Sequence, residues 1–322
     1  MLKLPKLSSN VLEELKKGKN LLAFSAGSDS NALFFILNAL HVEFDIALVN
    51  YQTRDQSDEE EIYAKELAKK FGKKCYTSTC KLESNNFEHN ARTARYEFFD
   101  QIIKENSYKN LLTAHHLNDK LEWFLMQLSR GAGAVELSGM SEIEENNRYK
   151  TIRPLLHISK DEISEFLKTN QIKHFLDSSN SDKKYFRNQI REEFANSFCK
   201  QFASGIKKSF TYLEEDKKRL LPEIIEQNKN LYILKRDEDD LINIRGIDRV
   251  VKKLGILLSK EMRDEIIRTK DCIISSKIAI SFSKEKIYIC PAVSMTMDKK
   301  FKDKCRVEKI PSKIRPYLYS IL

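Results

Sequence analysis

The first half of the chain alternates short apolar runs with longer amphipathic ones, and that alternation leaves few folds open. Leu21 to Ser25, Phe44 to Asn50, Lys74 to Thr79 and Asn110 to Ala114 read as strands, while Asn31 to Leu40, Ser57 to Phe71 and Glu88 to Glu105 carry apolar residues at helical spacing. The order is β-α-β-α-β-α-β. Crossovers of this kind are right-handed, so the strands must lie parallel under helices on both faces, with ligands at the C-terminal ends of the strands. A site is therefore predicted from Ser25, Asn50 and His115 onward.

Beyond this the pattern loosens. Ala134 to Thr151 reads as a polar surface loop or short hairpin before Ile152 to Leu156, and Ser159 with Glu162 three residues on predicts a capping box that opens another helix. Phe186 to about Asn228, dense in charge and helix formers, reads as a helical connector. From Leu231 short helices, near Asp248 to Leu258 and Lys260 to Thr269, precede alternating runs at Lys277 to Phe282 and Lys286 to Cys290. The expected architecture is α/β: a doubly wound, mainly parallel sheet over residues 1–190, a helical connector over 191–230 and a small α+β C-terminal domain over 231–322.

Composition narrows the classes. A chain of 322 residues suits two domains able to bury cores of their own. Its longest apolar stretch, Ala32 to Leu37, is far short of the roughly 18 residues of a membrane span, and Met1 to Asn20 has no apolar core of a signal peptide, so a cytoplasmic protein is expected. The six cysteines form no C-x-x-C pair, and free thiols are the expectation. Residues 201–322 hold 27 Lys and Arg against 18 Asp and Glu, whereas residues 1–200 hold 29 of each. The whole basic excess is C-terminal. Such a module suits a polyanion, although solubility alone also explains a modest excess.

Ser25-Ala26-Gly27-Ser28-Asp29-Ser30 lies between the first strand and the first helix, where backbone N–H groups and the helix dipole can hold a phosphate. Ser and Asp are also ordinary N-cap residues, so the hexapeptide alone leaves a plain polar turn open. It contains neither a Walker A loop nor G-x-G-x-x-G. It resembles the S-G-G-x-D-S loop of the PP-loop, N-type ATP pyrophosphatases, with Ala26 in place of the first glycine. That replacement predicts an ordinary negative φ at Ala26. The resemblance implies that Asp29 holds Mg²⁺ or its water against the pyrophosphate, and that Ser25, Ser28 and Ser30 donate to phosphate oxygens.

After the fourth strand comes Thr113-Ala114-His115-His116-Leu117-Asn118-Asp119-Lys120-Leu121-Glu122, which places Asp119 and Glu122 on one helical face at i, i+3. As an isolated pair these are solvated surface charges as readily as a site. The run continues through Leu125–Gly133, Leu137-Ser138-Gly139-Met140, Arg153-Pro154-Leu155-Leu156, Lys160-Asp161-Glu162-Ile163, Asp177-Ser178-Ser179-Asn180 and Arg187-Asn188-Gln189-Ile190-Arg191. With Ala91-Arg92-Thr93-Ala94-Arg95-Tyr96-Glu97-Phe98-Phe99, these motifs resemble the tRNA(Ile)-lysidine synthetase family in order and spacing over about residues 20 to 195. Asn118, Trp123 and Asn50-Tyr51 depart from the family's usual Asp, Thr and V-D-H sequence.

The resemblance implies adenylation of the wobble cytidine of a minor isoleucine tRNA with a CAU anticodon, at the C2 oxygen and at the expense of ATP, followed by attack of free L-lysine. Only about one lysine side chain in 2,500 is neutral at pH 7, so a proton acceptor is required. Asp29, His115, Asp119 and Glu122 are the implied catalytic residues, with Asp119 and Glu122 holding the lysine and His115 near the phosphates. Arg95, Arg153, Arg187, Asn188 and Arg191 are expected at the tRNA or the ATP phosphates. The basic C-terminal module would grip tRNA phosphates, and related enzymes imply a homodimer. A PP-loop tRNA base thiolase is the nearest alternative, and a tRNA-binding protein without activity is another.

Overall fold

A computed structural model of the chain describes residues 4–52, 56–80, 87–146, 148–175 and 186–322. Two compact units are present, Met1–Glu214 and Glu215–Leu322. Among the described residues no helix is long and apolar enough to cross a membrane.

The first unit opens with α1 (Ser9–Leu15) and then alternates β1 (Asn20–Ala23), α2 (Ser28–Ala39), β2 (Phe44–Asn50), α3 (Gln56–Lys70), β3 (Cys75–Thr79), α4 (Phe87–Asn106) and β4 (Asn110–Leu112). α5 (Leu117–Leu128), α6 (Ala134–Leu137), the hairpin β5 (Ile143–Glu145) and β6 (Lys150–Ile152), and α7 (Lys160–Thr169) follow. The sheet order is β3-β2-β1-β4-β6-β5, parallel throughout except for β5. The predicted alternation is the one found, and the polar stretch before Ile152 is the hairpin.

Alternation along each strand sorts the apolar residues onto two faces. Leu22, Ile46 and Leu112 join Leu33, Leu37, Ala64 and Ile163 in one core, while Leu21, Ala47 and Leu111 join Phe99, Ile102 and Ile103 of α4 in another. Phe34 is fully buried among Phe24, Phe35, Phe44 and Phe71, at centroid distances of 5.1 to 5.9 Å in edge-on geometry. Burial of such a ring contributes about 2–3 kcal/mol. Because the chain places β2 and β3 to one side of β1 and β4 to the other, the direction of winding reverses between β1 and β4. That crevice is where an open α/β sheet binds its ligand.

The predicted helical connector is only partly helical. α8 (Phe186–Ile190) passes into a π-helical turn (Arg191–Ala195) and then α9 (Asn196–Arg219), but Ile224–Asn228 is a strand, β7. Pro222 cannot continue a helix, and β7 pairs antiparallel with β8 (Leu231–Lys235), so tertiary pairing overrides the charge-rich composition. The second unit adds α10 (Asp240–Lys253), α11 (Lys260–Thr269), β9 (Asp271–Ile274), β10 (Ile278–Phe282), β11 (Lys286–Pro291), α12 (Lys299–Val307) and α13 (Arg315–Ser320) around an antiparallel sheet in the order β7-β8-β11-β10-β9. α10 starts eight residues before the Asp248 expected, because the Asp239 side chain accepts the Leu241 N–H and caps the helix there.

Candidate active site

Two loops meet at the winding reversal, one leaving β1 and one leaving β4. The first runs through Phe24-Ser25-Ala26-Gly27 into α2, with Gly27 as N-cap. Ala26 has φ +58°, so the ordinary negative φ expected there is corrected: the alanine occupies left-handed backbone, at a cost of about 1–2 kcal/mol. Neighbours hold it. Asn31 Nδ2 donates to the carbonyls of Ala26 at 2.6 Å and Gly27 at 3.1 Å, and the Phe175 N–H donates to the Ala26 carbonyl at 3.0 Å. Tyr63 in turn donates its hydroxyl to Asn31 Oδ1 at 2.9 Å.

The hydroxyls of the loop divide their work. Ser30 is buried and donates to the Gly27 carbonyl at 3.1 Å, which ties the loop to the helix. Ser25 is exposed, with its Oγ 3.2 Å from Ser30 Oγ. Ser28 and Asp29 begin α2, and the N–H groups of Ser28, Asp29 and Ser30 have no preceding helical turn to accept them. They form an anion cradle at the positive end of the helix.

Lys160 closes this cradle. It is the first residue of α7, and its Nζ lies 2.7 Å from Ser28 Oγ and 2.5 Å from Asp29 Oδ1. The capping box predicted at Ser159 and Glu162 is formed and sets this helix start. Sequence reasoning named Lys160 within a motif but gave it no role. The signal lay in its place after β6, the strand beside β4, whose C-terminal end opens on the same crevice.

At the second loop, His116 caps α5. Its Nδ1 accepts the Asp119 N–H at 3.4 Å and Asp119 Oδ2 accepts the His116 N–H at 3.0 Å, a capping box that the sequence reading did not identify because histidine seldom fills that position. His116 Nε2 stands 3.8 Å from Asp29 Oδ2 and Nδ1 3.5 Å from Asp119 Oδ2. One imidazole thus bridges the phosphate cradle and the helix that carries the carboxylates. His115 sits with Nδ1 2.9 Å from Thr113 Oγ1, and burial pushes its pKa down to about 4, so its ring is neutral at pH 7.

Asp119 and Glu122 do share a face, and both are buried. Arg187 donates from Nη2 to Asp119 Oδ1 at 2.7 Å and from Nε to Glu122 Oε2 at 2.8 Å, while Arg191 donates from Nε to Glu122 Oε1 at 2.7 Å and from Nη2 to Glu122 Oε2 at 3.1 Å. Burial opposes ionisation of Asp119, yet His116 and Arg187 hold its carboxyl well below the usual range. Two carboxylates face two guanidinium groups. An ammonium group can take the place of a guanidinium there, and Arg187, 44% exposed, is freer to yield than Arg191 at 20%.

Other predicted residues stand elsewhere. Arg153 is buried and donates to the Ser141 carbonyl at 2.8 Å and to Glu144 at 2.9 Å, which fastens the β5–β6 hairpin. Asn188 Oδ1 accepts from Arg191 at 3.5 Å. Arg95 lies on α4 near Tyr51, whose pKa burial raises against the opposing charge of Arg95. Asn118 links elements, accepting the Lys160 N–H at 3.1 Å and donating to Asn196 at 3.1 Å. Asp177–Asn180 lies outside the described residues.

The donor set suits Mg²⁺. That ion takes one or two carboxylates and completes its shell with phosphate oxygens and water, and Asp29 is a carboxylate at the edge of a phosphate cradle. Among the described residues no group of three or more His, Cys, Asp or Glu could hold a metal ion.

Comparison with known proteins agrees with this geometry. A family profile for the PP-loop domain matches residues 3–198. The tRNA(Ile)-lysidine synthase of Campylobacter jejuni strain RM1221 is 47% identical over 316 residues, covering 98% of this chain and 96% of the relative. The synthases of Helicobacter pylori 26695 and Wolinella succinogenes are 42% and 41% identical, over 96% and 95% of this chain and 92% and 94% of theirs. Among solved structures, the U34-tRNA thiolase NcsA from Methanococcus maripaludis with its [4Fe-4S] cluster superposes with a TM-score of 0.53 at 16% identity, covering 77% of this chain and 90% of that one, a likeness of fold. A phosphate loop after β1 and buried carboxylates after β4, with relatives this similar along nearly their whole length, show that the chain belongs to the tRNA(Ile)-lysidine synthase family of PP-loop proteins.

Proposed function

We propose that the chain ligates free L-lysine to C2 of the wobble cytidine of a minor isoleucine tRNA with a CAU anticodon, through an adenylated cytidine, and releases AMP and pyrophosphate. The observation that carries the reading is the juxtaposition of an anion cradle and a buried carboxylate pair, joined through His116. The reaction needs both. The base oxygen becomes a leaving group only as an AMP ester, and the incoming amine must lose a proton as it attacks.

The N–H groups of Ser28, Asp29 and Ser30, together with Lys160, hold the triphosphate and stabilise the charge that grows on the departing pyrophosphate. Asp29 would hold Mg²⁺, which when bound neutralises phosphate charge. Asp119 and Glu122 bind the lysine ammonium as Arg187 yields, and one of the two carboxylates accepts its proton as the nitrogen approaches C2. His115, neutral and half-buried, offers a hydrogen bond rather than a charge. Residues 231–322, with Lys299, Lys300, Lys302 and Lys304 near their end, bind tRNA phosphates. A homodimer is part of the proposal, and sedimentation velocity tests it.

Incubation with ATP, Mg²⁺, labelled lysine and the tRNA transcript should place label in one nucleoside, dependent on ATP. Release of pyrophosphate without label in the nucleoside, or labelling without ATP, would refute the reading. A thiolase reading gains no support from the cysteine beside the carboxylates: burial pushes the Cys199 thiol up to about 12, far from the thiolate that sulfur transfer needs.

A further inference from the structure

The π-helical turn and α9 carry an aromatic face that the packing of their own unit leaves unused. Phe194, Phe198 and Phe202 recur every four residues and are 53%, 50% and 51% exposed, and Tyr212 further along is 53% exposed. A neighbouring side of the same helix already supplies the core, through Cys199, Ile206 and Phe210. The Phe198 and Phe202 rings lie 5.0 Å apart, and Phe202 departs from helical geometry at φ −128° and ψ 22°. Single exposed apolar residues are ordinary, but a run of rings along one face marks a binding surface.

Two observations indicate the occupant. Residues 196–213 contain Lys200, Lys207 and Lys208 and no Asp or Glu. Lys207 is paired with Glu162, whereas Lys200 and Lys208 are exposed and Lys208 Nζ stands 5.8 Å over the Tyr212 ring. Flat rings, one of them under an exposed lysine that has no ion pair among the described residues, suit a partner that is both anionic and stackable. The face is also continuous with the site, because Phe194 follows by three residues Arg191, whose guanidinium lies on Glu122.

We propose that this face stacks unpaired bases of an RNA loop next to the cytidine undergoing reaction, with Lys200 and Lys208 on the flanking phosphates. The inference rests on the tRNA reading of the site. Chemistry at C2 requires the base to leave its stack, which strips its neighbours of a stacking partner, and aromatic side chains replace that partner without regard to sequence.

The test is fluorescence anisotropy with the full chain and a labelled anticodon stem–loop. Phe198→Ala and Phe202→Ala should each weaken binding roughly 5- to 100-fold, and Phe198→Leu nearly as much, because a leucine is apolar but does not stack. Lys200→Ala and Lys208→Ala should each lower the slope of log affinity against log salt by about 0.7. The KM for tRNA should rise in parallel in the Phe variants. Unchanged affinity in both alanine variants overturns the inference, as does a leucine variant that binds like the parent. A shift from dimer to monomer at unchanged RNA affinity also overturns it, because the face would then pack on a second copy. Absence of lysidine with the unsubstituted chain strikes the proposed function, whereas unchanged RNA affinity in variants of a chain that makes lysidine strikes this inference alone.

Discussion

Glu122→Gln separates the two halves of the proposed reaction. The side chain is 1% exposed and its carboxylate accepts three hydrogen bonds from two guanidinium groups. Charge-assisted bonds contribute about 1.5–3 kcal/mol each, but Arg187 is 44% exposed and water replaces its lost partner. The loss therefore falls on the Arg191 fork. Glutamine keeps the shape and one acceptor oxygen, so a destabilisation of about 2–3 kcal/mol is expected, at the low end of the cost of breaking a buried ion pair. For a unit of this size that lowers Tm by roughly 4–12 °C. The catalytic signature is sharper. Pyrophosphate release dependent on ATP and tRNA should persist, because the phosphate cradle is untouched, while KM for lysine rises at least about tenfold, the equivalent of 1.4 kcal/mol. Differential scanning fluorimetry and paired assays of pyrophosphate release and lysine incorporation measure these quantities. A variant with parental KM for lysine and parental Tm would refute the argument that this carboxylate holds the amine.

Three further outcomes follow from the geometry. His115, half-buried with its pKa pushed down to about 4 by desolvation, binds fewer protons folded than unfolded between roughly pH 6.5 and 4, so stability should fall as pH drops through that window; His115→Gln should flatten the slope in urea titrations, and an unchanged slope would contradict the assignment. Lys120 is fully buried, with Nζ 2.9 Å from Glu214 and 4.8 Å from the Phe210 ring centre. Glu214→Ala, which strands that ammonium, should cost about 3–5 kcal/mol, whereas Lys120→Met frees a carboxylate that is 25% exposed and should cost less; equal losses on chemical denaturation would contradict this. Lys160→Ala removes the cation beside Ser28 and Asp29 and should raise KM for ATP at least about tenfold while leaving KM for lysine alone, and a change confined to lysine would place the side chain elsewhere.

What the sequence revealed was whatever is encoded locally. Strand and helix periods and the right-handed crossover rule suffice to place the loops after β1 and β4 at one edge of the sheet, and the capping box at Ser159 and Glu162 to open α7, but the order that makes β1 and β4 neighbours is set by tertiary pairing. Ala26 misled because its left-handed φ is imposed by Asn31 and Phe175, one of them distant in sequence, and no local preference of alanine announces it. The ion pairs of Arg187 and Arg191 with α5 were hidden for a related reason. The motif that contains them pointed to the tRNA or the ATP phosphates and could not reveal that they meet Asp119 and Glu122. β7 was missed because its five residues, Ile224–Asn228, follow closely on a charge-rich helix and end polar, so their pairing at the sheet edge leaves no local signal.

The capping box at the start of α5 bears on how relatives should be compared. Asp119 serves the helix with one oxygen and the site with the other. A descendant that had lost its substrate would still be selected to retain this aspartate, since without it the helix start would fray. Its presence in a distant sequence is therefore poor testimony that chemistry survives there. Glu122 caps nothing, and its buried charge is tolerable only among guanidinium groups, which makes it the more truthful marker of an enzyme still at work.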